Sequence, residues 1–161
     1  MPNKKMLDYT NLMELHKKYK NWSFVATSAG LKIDEIKKIR HEYIIENLKN
    51  GLSVKEVAKK IGISKNTIFN EKDLYITRQL FNATPKKVIA DELKIPLTEI
   101  ENKDYHYIKR TIKKSGDSSC TIKNLAQRIG CGCTPQDIMD LYIYRALKEK
   151  KVLVSYLMYL K

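Results

Sequence analysis

Long apolar segments and a usable set of disulfide partners are both missing from this chain of 161 residues. No apolar run approaches the roughly 18 residues that a membrane-spanning helix needs, which argues against a membrane protein. The N-terminal Met-Pro-Asn-Lys-Lys is basic, but no apolar stretch follows it, so it does not resemble a signal peptide. The three cysteines, Cys120, Cys131 and Cys133, cannot all pair within one chain. We therefore expect reduced thiols in a cytoplasmic protein.

Glycine and proline are scarce, with six and four residues respectively. Few segments alternate between apolar and polar residues, which is the pattern of a half-buried strand. Hydrophobic residues still make up 43% of the chain, enough to bury a core. These observations predict an all-α fold.

The sequence patterns of common catalytic sites are also missing. There is no phosphate-cradling glycine loop, no nucleophile elbow and no pair of carboxylates in a catalytic context. A structural zinc site usually has four ligands in paired spacings, and no histidine lies near the three cysteines. We predict that the protein is not an enzyme, and we expect no cofactor, metal or small-molecule ligand.

Positive charge is abundant. Lysine and arginine number 31 against 18 acidic residues, for a net charge of +13. The basic residues occur in small clusters along the whole chain. An excess of this size favours binding to a polyanion such as nucleic acid. The alternative is a lysine-rich solvated surface typical of proteins from AT-rich genomes.

Residues 53–70 read SVKEVAKKIGISKNTIFN and predict two helices joined by a tight turn. Ser53 followed by Glu56 is a capping box that starts the first helix. Gly62 ends that helix, because the turn needs a residue that accepts positive φ. Ser64 then caps the second helix. The apolar residues expected to face the core are Val54, Val57, Ala58, Ile61, Ile63 and Ile68.

This pattern resembles the helix-turn-helix of bacterial regulators, transposases and phage proteins, and the resemblance covers the whole motif. In that family the second helix enters the major groove of DNA. The resemblance implies that five residues face DNA, namely Ser64, Lys65, Asn66, Thr67 and Asn70. Lys59 and Lys60, near the end of the first helix, are expected to contact phosphate. The alternative is a helix pair that serves only for packing, dimerisation or protein docking.

The motif repeats at a spacing of 32 residues. The matching sets are Val25-Ala26 with Gly30, Val57-Ala58 with Gly62, and Ile89-Ala90 with Lys94. A weaker fourth copy starts at Thr121. The predicted N-caps of the four short helices are Asn21, Ser53, Thr84-Pro85 and Thr121, and Thr134-Pro135 is predicted to start the last long helix.

Short helices are expected near 22–29, 53–61, 85–93 and 121–129, and longer ones near 6–20, 33–49, 65–81, 97–114 and 135–150. This predicts a tandem array of helix-turn-helix units in which short and long helices alternate. Residues 1–114 would hold three units, at about 6–50, 51–82 and 83–114. Residues 120–161 would hold a fourth unit and an apolar tail. A helical solenoid that binds protein is the alternative.

The four copies differ in chemistry. In the first, Asp34 and Glu35 would repel phosphate, yet Lys37, Lys38 and Arg40 follow on the same helix and are expected to assist DNA binding. The third copy offers Pro96, Thr98 and Glu99, and the fourth offers Gln136 beside Asp137 and Asp140. We therefore expect the second copy to read bases. The third and fourth copies would be scaffold, a partner surface or a further DNA contact.

Two segments stand outside this pattern. Residues 114–119 are rich in serine and glycine and form the expected domain boundary. In the C-terminal tail, the residues Leu153, Tyr156, Leu157 and Leu160 fall on one helical face. Such a tail either folds back on the core or pairs with a second subunit to form a homodimer.

The sequence therefore predicts a sequence-specific double-stranded DNA-binding protein that regulates transcription in a phage, plasmid or other mobile element. It would be associated with the nucleoid when bound. A DNA-packaging protein similar to small terminase subunits, a recombination accessory protein and a helical protein-interaction module are the alternatives.

Overall fold

The computed structural model describes residues 9–115, 119–130 and 132–159, with side chains up to residue 149. Within these ranges the chain forms nine α-helices and no strand, which confirms the all-α prediction. The helices are Tyr9–Tyr19 (α1), Trp22–Ala29 (α2), Ile33–Lys49 (α3), Val54–Ile61 (α4), Lys65–Phe81 (α5), Lys86–Leu93 (α6), Lys103–Ser115 (α7), Ser119–Ile129 (α8) and Pro135–Tyr159 (α9). A short 3₁₀ helix, Leu97–Glu99, precedes α7.

The first of two compact units ends at Lys72. In it, α1 packs against α2 and α3, and α3 also contacts α2 and α4. Its fully buried side chains are Tyr9, Leu12, Val25, Ile44, Val57 and Ile68. Removal of these apolar surfaces from water is the main force that holds the short helices in place.

The second unit begins at Asp73, so the boundary falls within α5. Helices α7, α8 and α9 pack against one another. They enclose an apolar cluster whose most buried members are Ile108, Leu125, Ile129 and Ile138. The predicted division into four units is not tested by this partition and stays a prediction.

Local backbone geometry repeats at the spacing of 32 residues. Gly30, Gly62 and Lys94 each end a short helix with φ of 66°, 66° and 53°. In each case the next residue donates its N–H to the carbonyl of a buried alanine four residues before that turn, at 2.9, 3.2 and 3.0 Å. One buried position also recurs in Leu12, Ile44, Ile76 and Ile108, all fully enclosed. The repeat is thus present in the backbone and in the core.

Several predicted helix starts are confirmed by their hydrogen bonds. Asn21 accepts the N–H of Ser23 at 2.8 Å, and Thr134 and Asp137 form a reciprocal cap before α9. Thr121 is not a cap, because α8 already begins at Ser119 and the Thr121 hydroxyl donates to the Ser115 carbonyl at 3.2 Å. At the predicted Thr84-Pro85 start, Pro85 occupies the N-cap position of α6 without a side-chain bond, and Thr84 donates to Gln79.

The long helix expected near 97–114 is shorter in the structure. Pro96 precedes the 3₁₀ helix, and Asn102 then takes a left-handed conformation with φ of 57°. A helix cannot continue through such a residue, so α7 starts at Lys103.

Two sequence predictions fall on residues outside the described ranges. In the expected boundary at 114–119, residues 116–118 are not described. The C-terminal tail lies on α9 as far as Tyr159, but its side chains are outside the described set, so the alternatives of core packing and homodimer stay predictions.

Candidate nucleic-acid interface

Helix α4 begins with the predicted capping box. Ser53 accepts the N–H of Glu56 at 3.3 Å, and the Glu56 carboxylate accepts the N–H of Ser53 at 2.8 Å. These bonds from Ser53 lower the pKa of Glu56 below its ordinary value. The helix buries Val57, Ala58 and Ile61 and leaves the opposite face exposed.

The turn into α5 has the geometry that its sequence predicts. Gly62 adopts a positive φ of 66°, and Ile63 donates its N–H to the Ala58 carbonyl at 3.2 Å. Ser64 then accepts the N–H of Thr67 at 3.2 Å, and the two hydroxyls lie 2.9 Å apart in a hydrogen bond. Ser64 and Thr67 therefore hold the start of α5, and Thr67 is half-buried.

Six of the predicted site residues lie exposed around this turn, and two of them, Lys60 and Ser64, have side-chain partners. Within the described part of the chain, the side chains of the other four make no hydrogen bond or ion pair: Lys59, Lys65, Asn66 and Asn70. Asn66 and Asn70 share one face of α5, because residues four positions apart lie on the same side of a helix, and Lys65 lies beside that face at the start of the helix. We call these four residues the open polar set.

Lys60 has a different environment from Lys59. Its ammonium donates to the Asn47 amide oxygen at 2.7 Å and lies 5.5 Å from the centre of the Tyr43 ring. Both partners belong to α3. The structure therefore uses Lys60 to join α4 to α3, in addition to any role at the surface.

The three cations predicted on α3 all have acidic partners. Lys37 lies 2.8 Å from Asp34, and Lys38 lies 4.0 Å from Glu42. Both lysines stay largely exposed, so these pairs are weak and exchangeable. Arg40 instead contacts Glu71 at 3.1 Å, and only 27% of its side chain is exposed.

Glu71 is the centre of a buried polar network in the first unit. Its carboxylate, 8% exposed, accepts from Arg40 and lies 2.8 Å from Nδ1 of His41. Burial raises the pKa of Glu71, but the hydrogen bond and charge of His41 and the charge of Arg40 outweigh it and lower that pKa overall. The network fixes α5 to α3 directly behind the open polar set.

One residue of this surface escaped the sequence analysis. Phe69 lies between Asn66 and Asn70 on α5 and is 44% exposed. The Lys72 ammonium is 5.5 Å from the centre of its ring. The sequence pattern assigned Ile68 to the core and gave Phe69 no role, because an apolar residue next to a core residue carries no pattern that marks it as a surface contact.

The equivalent positions of the other copies carry different groups. One period earlier, Lys65 and Asn66 correspond to Ile33 and Asp34. One period later, Lys65 corresponds to Leu97, which is 48% exposed. In the fourth copy, the Gln136 amide already donates to Asp140 at 2.7 Å.

Other classes of site have little support among the described residues. They contain no group of three or more histidine, cysteine or acidic side chains that could hold a metal ion. Cys120 and Cys133 do not form a disulfide with each other, and Cys131 lies outside the described residues. None of the described helices is long and apolar enough to cross a membrane.

Comparison of this chain with protein-family models, curated proteins and solved structures finds no match.

Proposed function

We propose that the protein binds double-stranded DNA through α4, the turn at Gly62 and the first two turns of α5. The proposal rests above all on the contrast between polar side chains that bond to other residues of the protein and polar side chains that do not. The open polar set is exposed and has no partner in the described part of the chain, whereas Arg40 bonds to Glu71 and Lys60 bonds to Asn47. Exposed groups without partners can exchange water for phosphates and base edges without breaking a protein contact.

The start of α5 adds a second element of support. The Ser64 hydroxyl accepts the N–H of Thr67, and the Ser64 carbonyl accepts the N–H of Ile68. The N–H groups of the first two residues of α5 therefore point out of the helix end. A helix N-terminus attracts phosphate through these N–H groups and the helix dipole. Lys65 stands at that end, and Lys59 lies at the end of α4 just before the turn.

At the level of biology, we propose that binding is sequence-specific and that the protein regulates transcription by occupying its site. Asn66 and Asn70 support specificity, because asparagine amides recognise base edges, while lysines mainly contact phosphate. Packaging or recombination work would instead need binding without strong sequence preference, or a defined oligomer.

The test is a titration of the full chain into a pool of random-sequence duplexes at two salt concentrations, followed by sequencing of the bound fraction. Enrichment of one sequence at the higher salt supports a specific regulator. Binding without enrichment supports packaging or architectural work. Absence of binding at both salt concentrations overturns the proposal and leaves a helical scaffold for protein.

Lysine variants sharpen this test. Each phosphate contact contributes about 0.9 to the slope of log affinity against log salt. Lys65→Ala and Lys59→Ala should each reduce that slope by about 1. Lys87→Ala removes the same charge from the exposed face of α6 and is the matched control. An equal reduction in all three variants would show a diffuse charge effect.

A further inference from the structure

We infer that α5 is built to read A·T base pairs, with Phe69 as a specificity-determining residue that contacts the methyl group of thymine. This inference rests on the proposed function and deepens it, because it names the class of DNA sequence that the same surface recognises. It is carried by the position and exposure of Phe69 and by the chemistry of its two asparagine neighbours.

Phe69 lies on the same face as the open polar set. Asn66 precedes it by three residues and Asn70 follows it directly, so all three point away from Ile68, which is fully buried. Phe69 leaves 44% of its surface exposed in the middle of a polar face. The core beneath α5 is therefore filled by Ile68, and the Phe69 ring is available to a partner.

The side-chain groups of Asn66, Phe69 and Asn70 favour one kind of base pair. An asparagine amide donates and accepts together, which matches N6 and N7 of adenine in the major groove. A phenyl ring can do neither, and the apolar group that the major groove offers is the C5 methyl of thymine. Both kinds of contact favour A·T pairs, because guanine presents only acceptors, cytosine presents only a donor, and neither carries the methyl group of thymine.

The spacing also fits. Asn66 and Asn70 are one helical turn apart, which is about 6 Å along the axis, and stacked base pairs are about 3.4 Å apart. A helix that lies along the groove thus places the two amides about two base pairs apart, with the Phe69 ring between them. The Lys72 ammonium, 5.5 Å from the ring centre, limits the positions that the ring can take.

The experiment uses the duplex enriched from the random pool and exchanges single thymines for uracil, which removes the methyl group and keeps base pairing. One such exchange should weaken binding of the unaltered chain about fourfold, the value of one buried methyl group. Phe69→Ala should bind the original duplex more weakly and lose this sensitivity to uracil. Phe69→Leu should keep much of it.

Phe24→Ala is the control, because Phe24 is a second exposed phenylalanine of the same unit, 62% exposed on α2. It should retain the full effect of uracil. Fluorescence of Trp22 checks that each variant is folded.

Three results would overturn this inference while the proposed function stands. They are enrichment of a site without A·T pairs, an effect of uracil that persists in Phe69→Ala, and equal binding of the unaltered chain to the thymine and uracil duplexes. Failure to bind any duplex would instead overturn the proposed function itself.

Discussion

The second and third copies of the repeat share the geometry of the short helix and of the turn that ends it, and they differ in their surface. In both, an eight-residue helix ends in a left-handed residue, Gly62 or Lys94, and the next N–H bonds to a buried alanine carbonyl. At the following positions the second copy has Lys65 and Asn66, and the third has Leu97 and Thr98. The comparison shows that the same short helix and turn can carry different exposed side chains, and the proposed DNA contact depends on those of the second copy.

A second contrast lies beneath these surfaces. His41 pairs with Glu71, 30 residues later. The same spacing pairs Asp73 with Lys103, but the order of the charges is reversed. His41 faces Glu71 at 2.8 Å, whereas Asp73 faces Lys103 at 3.3 Å. The two carboxylates are equally buried, but Arg110, the second partner of Asp73, is 51% exposed.

The largest expected effect concerns these buried pairs. Glu71→Gln removes a charge that Arg40 and His41 need and should lower the free energy of unfolding by about 3 kcal/mol, as for other broken buried pairs. Asp73→Asn should cost about 1 kcal/mol, because its cationic partners can turn to water. Urea unfolding followed by far-ultraviolet circular dichroism, with Trp22 fluorescence for the first unit, measures both. Equal losses in the free energy of unfolding of the two variants would contradict this distinction between the two sites.

The turn residues should respond in opposite directions. Gly62→Ala places a side chain at φ of 66° and should destabilise the protein by about 1 kcal/mol, through backbone strain rather than collision, since no atom lies within 4 Å of the added carbon. Lys94→Gly relieves the same strain and should stabilise by up to about 1 kcal/mol. Thermal unfolding of the two variants checks this, and a shared sign would show that the turns are not equivalent.

The smallest expected effect is in the acid range. The pKa of Glu71 is lowered below its ordinary value of 4.5, so its contribution to stability is complete above that pH and is lost as the pH falls through the folded-state pKa. The free energy of unfolding should therefore decline more steeply below pH 4.5 in the unaltered chain than in Glu71→Gln. Urea unfolding at a series of acid pH values gives the two slopes, and identical slopes would rule out this role for Glu71.

The sequence predicted what local interactions determine. Ser53, Ser64 and Thr134 bond to N–H groups three residues away, so their capping roles follow from short patterns. The break at Asn102 was missed, because asparagine adopts many conformations and nothing nearby requires a left-handed one. The Glu71 network was missed because its partners are 30 and 31 residues away in the chain.

The sequence likewise predicted only part of the candidate site. The resemblance to a helix-turn-helix named the residues of the open polar set, and the structure leaves all four exposed. The cluster of cations in the first copy also pointed to Arg40, whose guanidinium is bonded to Glu71. Neither this pairing nor the exposure of Phe69 can be read from helical spacing, because both depend on which helix packs behind α5.

The central claim is that the second copy, and not the third, contacts DNA. Its most direct test compares Asn66→Ala with Thr98→Ala, which alter equivalent positions of the two copies, for affinity to the same enriched duplex. The account predicts a loss of about 1–3 kcal/mol for Asn66→Ala and no change for Thr98→Ala. Equal affinities for the two variants, or a larger loss for Thr98→Ala, would contradict it.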